Sequence, residues 1–132
     1  MDNGFCVSAP VAGRIDLNVR LSVLRRSGPT ISIPPEIVAK ADIFALRIQS
    51  RQIHHDKLRG GAVCVFDRKA QARPGDIALI RPARVDYALL CSYIIRSGAR
   101  IFEPIDPRSP HHALIAQDIQ AVATAVAVIR AI

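Results

Sequence analysis

The feature that most restricts this chain is its punctuation. From Thr30 onward, short apolar or β-branched stretches recur at roughly 8–12-residue spacing, each closed by a turn-forming residue. "TISI" stops at Pro34-Pro35, and "DIFALRIQ" alternates, with Phe44, Leu46 and Ile48 on one face and Ala45, Arg47 and Gln49 on the other. Gly60-Gly61 opens the apolar run "AVCVFD", and "RPGD" turns the chain into "IALI". "VDYALLCSYII" follows as one long or two short strands. Ser97-Gly98 then leads into "RIFEPI" and the loop "DPRSPHH". Residues two apart on a strand share a face, so such text builds sheets that bury one side or both. The expected fold class is mostly β: a compact domain of short strands with short helical turns.

The last segment, "DIQAVATAVAVIRAI", mixes helix-favouring alanine with strand-favouring valine and isoleucine. Strict alternation sets Val122, Thr124, Val126 and Val128 on one side and Ala121, Ala123, Ala125, Ala127 and Ile129 on the other. Both sides are apolar. The simpler reading is a strand buried on both faces, the second face being covered by a partner chain. An apolar edge strand left bare invites aggregation, and pairing with a second copy removes that hazard.

Residues 1–29 read as an N-terminal arm ahead of a β domain at 30–132. "MDNGFCVSAPVAGRIDLN" is dominated by small residues, Gly and Pro. "NVRLSVLRRSGPT" suits a turn or two of helix with Leu21 and Leu24 on one side, closed by Ser27-Gly28-Pro29. Pro35 suits the start of one more helical turn, over Glu36–Lys40.

Composition sets outer bounds. Half of the 132 residues are apolar, which excludes a disordered chain and suits one domain with its own core. The formal charge is +7, and all basic residues but Lys40, Lys57 and Lys69 are arginine. That balance suits an acidic partner, nucleic acid or protein. A loose cluster at Arg47, Arg51, Lys57, Arg59, Arg68, Lys69 and Arg73 is either a solvated face or a binding surface. The most apolar segment, Ala121–Ile129, is too short to cross a bilayer. No basic residue precedes Arg14 and no long apolar stretch opens the chain, so no signal peptide is expected. Cys6, Cys64 and Cys91 form no CxxC pair. Cys64 and Cys91 sit in apolar runs and read as buried small hydrophobes, which suits a reduced, cytoplasmic setting.

The order of the pieces also carries a resemblance. "FALRIQSRQI" resembles the "FALRVxGDSMI" segment of the UmuD/LexA-like self-cleaving Ser-Lys peptidases. "GGAVCVFDR" with "RPGDIALI" resembles their "DGDxVxVDR…NGDIVVA", and "VAVIRAI" resembles their final strand. "RIDLN" and "NGF" near the start resemble the UmuD arm and the site where it is cut. The resemblance implies a compact twisted LexA/UmuD-like β domain with an extended arm, dimerising through the final strand. By that implication Val122, Thr124, Val126, Val128 and Ile129 line the dimer interface. Asn3, Gly4, Ala12 and Gly13 are the positions that look like cleavage sites.

Members of that family cut their own arm with a serine hydroxyl activated by a lysine kept neutral in a dry pocket. Counted without gaps, the serine position falls on Gln52 and the lysine position on Leu89. A glutamine amide is no usable nucleophile, and leucine accepts no proton. What the resemblance then implies is a pseudo-peptidase: a serine peptidase fold kept as a catalytically inactive accessory or regulatory subunit in the SOS DNA-damage response. Its partners by resemblance are a second copy, a UmuC-like translesion polymerase and a RecA filament. No helix-turn-helix pattern precedes the domain, so a complete LexA-type repressor is not expected.

Two alternatives stay open. Ser50, two residues before Gln52, is a candidate displaced nucleophile with Lys57 as base, which would leave a self-processing peptidase. The +7 charge also suits a small basic nucleic-acid binder, against which stand four Phe, two Tyr and no Trp. His54-His55 and His111-His112 lack partners at metal-ligand spacing and read as loop residues, so no metal and no cofactor are expected.

Overall fold

A computed structural model of the chain describes residues 7–25, 28–33, 42–55, 58–59 and 61–129. Its elements in chain order are β1 (Val7–Ile15), β2 (Val19–Arg20), a 3-10 turn (Val23–Arg25), β3 (Thr30–Ile33), β4 (Ile43–Ile48), β5 (His54–His55) and β6 (Leu58–Arg59). There follow β7 (Val63–Asp67), β8 (Ile77–Pro82), β9 (Tyr87–Arg96), β10 (Ala99–Pro104), β11 (Leu114–Ile115), a second 3-10 turn (Ala116–Asp118) and β12 (Ile119–Ile129). The domain is mostly β, as the punctuation predicts. "VDYALLCSYII" forms one long strand rather than two short ones. The helical turn expected at Glu36–Lys40 lies outside the described residues.

One mixed sheet runs in the order β11-β10-β9-β8-β12-β7-β4-β1-β3, and β5 and β6 form a separate small hairpin. All neighbours along that path are antiparallel except β1 and β4, which run parallel. After residues 16–18 the chain leaves β1 and enters β2, which pairs with β9 through Val19↔Ala88 and Arg20↔Tyr87. The sheet therefore curls until strands far apart along it meet. What it encloses is the main core: Phe44, Leu46 and Ile48 of β4, Cys64 and Phe66 of β7, Ile77 and Leu79 of β8, Ala88 and Leu90 of β9. These are the alternate residues of each strand, as period-two burial requires. Phe44 and Phe66 stack with ring centroids 5.4 Å apart, and the Arg68 guanidinium lies 4.3 Å over the Phe44 ring.

The segment read as an arm is in large part a strand of this sheet. Val11, Gly13, Arg14 and Ile15 pair with β4, and Ala9 and Ile15 are fully buried. The Gly and Ala residues of this segment serve close packing, not looseness. Gly28 shows the same principle, since a Cβ at that position would stand 2.1 Å from the Val11 carbonyl oxygen. The boundary at 29/30 therefore does not separate arm from domain.

The final segment is a strand. Residues 119–124 of β12 pair with β8 on one side and residues 124–129 with β7 on the other, both antiparallel. The sheet edges are β3 and β11. Each half of β12 keeps one side without a paired strand among the described residues. The single apolar face expected of Val122, Thr124, Val126 and Val128 is broken. Register shifts between Ala121 and Ala123 and between Ala125 and Ala127 are β-bulges, and each changes the phase of alternation. Val122 and Val128 consequently pack on the main core, while Val126 and Ile129 pack on an outer cluster with Ala45 and Val65.

Candidate functional site

The turn that resembles a peptidase active site is residues 49–53, between β4 and β5. The end of β1 anchors it: the Gln49 N–H donates to the Ile15 carbonyl at 2.8 Å. β10 ends against the same region, with the Ile105 N–H donating to the Leu90 carbonyl at 3.0 Å. Three chain segments distant in sequence thus deliver side chains to one place: Asp16 after β1, Ser50 after β4, and Asp106 with Arg108 after β10.

Their contacts form a closed set. The Ser50 hydroxyl donates to Asp106 Oδ2 at 2.7 Å and accepts from Arg108 Nη2 at 3.1 Å and from the Gln52 N–H at 3.2 Å. Arg108 donates through Nη2 to Asp106 Oδ2 at 2.7 Å and through Nε to Oδ1 at 3.1 Å. The same Nη2 reaches Asp16 Oδ1 at 2.6 Å. The Arg108 backbone N–H donates to Asp106 Oδ1 at 2.9 Å. Ser50 and Asp106 are buried, 2% and 6% exposed, whereas the Arg108 and Asp16 side chains reach solvent. The hydrogen bond from the Arg108 side chain is the main reason the Asp106 carboxyl is held down to about 2; its burial opposes that shift and the Ser50 hydroxyl assists it. The same carboxylates, Asp106 first, raise the pKa of the Arg108 guanidinium.

This geometry decides what Ser50 can do. A hydroxyl has one proton to give and two lone pairs to fill, and here all three are engaged. A serine nucleophile needs a base that takes its proton near neutral pH. Asp106 is too weak a base for that, and Arg108 accepts no proton. The set pins three strand ends together rather than activating an oxygen. Lys57, the proposed base, lies outside the described residues.

The two positions counted as a degenerate dyad are not brought together. Gln52 is exposed on the turn. Leu89 is buried among Ala78, Ile80, Cys91, Tyr93 and Phe102, on the side of β9 opposite Ala88 and Leu90. Ile53, the neighbour of Gln52, packs with Ala88 and Leu90 in the main core. Leu89 therefore faces away from the turn, although its sequence separation from Gln52 matches the family's.

Asn3 and Gly4 lie outside the described residues. Ala12 is buried in β1, and Gly13 is half-buried beside it. His54-His55 is strand β5, not loop, and His111 Nε2 stands 2.7 Å from the Tyr87 hydroxyl. Among the described residues no three His, Cys, Asp or Glu side chains are grouped as metal ligands would be. Cys64 and Cys91 are fully buried free thiols, and burial pushes both up to about 12, far from a reactive thiolate.

Sequence reading did not single out Asp16, Asp106 or Arg108. The one local signal is "DPRS": Asp before Pro favours a turn in which the carboxylate accepts from the N–H two residues on. That signal marks the turn but not the distant serine it captures. No protein-family model matches the chain.

Proposed function

We propose that the chain is a binding domain without peptidase chemistry, a catalytically inactive UmuD/LexA-like accessory or regulatory subunit of the SOS DNA-damage response. In that role it supports a translesion DNA polymerase through protein–protein contacts, with a RecA filament as a second partner. The observation that carries the reading is the state of Ser50. The serine beside the peptidase-like turn is buried, with its hydroxyl committed to Asp106, Arg108 and the Gln52 backbone. The exposed amide of Gln52 and the apolar surroundings of Leu89 support the same conclusion, because neither supplies a nucleophile or a base.

A cytoplasmic setting belongs to this reading and is supported by the two buried free thiols. No helix among the described residues is long and apolar enough to cross a membrane. A homodimer also belongs to it. A second copy is expected to meet a side of β12 that no strand pairs with among the described residues, a face of the sheet, or one of its outermost strands, β3 or β11.

The test is the intact mass of the chain after incubation at raised pH and with activated RecA filaments. The expected result is an unchanged mass. Clean cleavage after Asn3 or Ala12 overturns the reading. If that cleavage vanishes in Ser50→Ala, the displaced-nucleophile alternative takes its place.

A further inference from the structure

The outer face of β8, β9, β10 and β12 carries a groove of about 810 Å³. That is the size of a site for a small ligand or a few side chains, about 300–1,000 Å³. The loop after β7, from Arg68 to Pro74, lines it, as do Ala116 and Ile119. The loop is built rather than loose. Thr124 Oγ1 donates to the Ala70 carbonyl at 2.8 Å, and the Gly75 N–H donates to the Tyr93 carbonyl at 2.8 Å. "RPGD" closes as a turn, the Asp76 N–H donating to the Arg73 carbonyl at 2.9 Å with Gly75 at φ +94, the pattern of Pro and Gly in a type II turn.

Two properties of the groove point to a ligand. The first is charge. Arg68, Lys69, Arg73 and Arg100 line it and, among the described residues, no Asp or Glu does. Arg68 is neutralised by Asp42 at 2.8 Å, but Lys69, Arg73 and Arg100 make no ion pair among the described residues. The nearby carboxylates of Asp67 and Asp76 accept from the loop's own Lys69 and Arg73 backbone N–H groups. The second is an apolar side chain where none is expected: Ile95 is 54% exposed on the groove floor, directly across from Arg100. Small residues elsewhere in the lining, Ala78, Ala121 and Ala123 among them, leave room above the sheet.

We propose that this groove binds an extended acidic segment of a partner protein, its carboxylates on Lys69, Arg73 and Arg100 and an apolar side chain on Ile95. This rests on the reading of the chain as a binding domain and names the surface that does the binding. Charge complementarity selects an acidic occupant. The floor selects peptide over single-stranded nucleic acid. Bases need exposed aromatic faces to stack on, whereas Tyr93 and Phe102 are stacked on each other at 4.8 Å and are only 6% and 7% exposed. An exposed aliphatic beside a cation suits a side chain such as leucine next to an aspartate or glutamate.

The experiment is fluorescence anisotropy on the full chain with three labelled probes: a peptide alternating Glu and Leu, the same peptide with Lys for Glu, and oligo(dT). The variants are Arg73→Glu with Arg100→Glu, Ile95→Thr, and Arg14→Glu as an exposed control outside the groove. Circular dichroism melts check that each is folded. The acidic peptide is expected to bind, and the double reversal to weaken it about tenfold or more. Ile95→Thr is expected to weaken it several-fold, and the control less than about twofold. Acidic-peptide binding that ignores the groove variants overturns the proposal, as does no binding of that probe. Tighter, groove-dependent binding of oligo(dT) overturns it in favour of nucleic acid. The two readings fail separately: self-cleavage in the mass assay leaves these affinities as measured, and a groove without binding leaves the mass unchanged.

Discussion

The cluster at Ser50 and the groove at Ile95 treat the same residue type in opposite ways. Arg108 is tied to two carboxylates and a hydroxyl. Arg100 stands beside an exposed isoleucine, with no carboxylate paired to it among the described residues. Arginine held on both sides by acids joins strand ends and belongs to the fold. Arginine left beside bare apolar surface contributes little to folding and is available to something else. The comparison also separates two meanings of a +7 chain. Part of the positive charge is tied into the fold, and part is left without a carboxylate partner among the described residues.

The sharpest way to break this contrast is to remove its centre. Asp106→Ala deprives Ser50 of its acceptor and Arg108 of its main partner. Hydrogen bonds to charged groups contribute about 1.5–3 kcal/mol, so a loss of about 2 kcal/mol is expected. Urea unfolding checks it, with the midpoint falling and the slope unchanged. If Asp106→Ala leaves the midpoint where it was, the cluster is no keystone and the contrast collapses.

The same carboxylate sets an acid limit. Asp106 titrates near 2 in the fold against an ordinary value of 3.8. A lowered folded pKa means that the charged form is favoured by folding. The stabilisation is therefore present above about 4 and disappears as the pH falls from there through about 2. Unfolding midpoints measured across that window should decline in the native chain. In Asp106→Asn the decline should be shallower, from a lower starting point. An equally steep decline in the variant would place the acid sensitivity elsewhere.

Ser50→Ala comes next in size. It removes a buried hydroxyl with one donated and two accepted bonds, yet Asp106 and Arg108 keep one another. About 1 kcal/mol is expected. A double-mutant cycle with Asp106→Ala should show strong coupling, because the two side chains share one bond at 2.7 Å. Additive effects would mean that the serine is held by its surroundings rather than by the carboxylate.

How far the sequence could foretell this depends on distance along the chain. β4, β7, β8 and β9 were legible because each is a short apolar or alternating run bounded by Gly, Pro or Asp. β1 was not, because "VSAPVAGRI" spaces its apolar side chains with Pro10 and Gly13, and only pairing with β3 and β4 reveals which of them are buried. The faces of β12 were misread because bulges among alanines and valines leave no residue-type signature. The candidate site was hardest. Ser50 and Asp106 are 56 residues apart, and nothing near either predicts the other. Leu89 shows the converse, since matching separation along the chain did not bring it to Gln52.

The smallest expected effect is the one that completes the contrast. Arg100→Ala removes a cation with no ion pair among the described residues, and Ile95→Thr trims an apolar side chain that is already half in water while keeping the β-branch that strands favour. Each should move the unfolding free energy by no more than about 0.5 kcal/mol, the usual range for exposed positions. That near-silence is informative only beside Asp106→Ala. A fold that loses about 2 kcal/mol at one arginine's partner and almost nothing at another arginine has divided its charges between structure and surface. If Arg100→Ala instead costs as much as Asp106→Ala, Arg100 is a structural residue, and only Lys69 and Arg73 are left to meet an acidic segment.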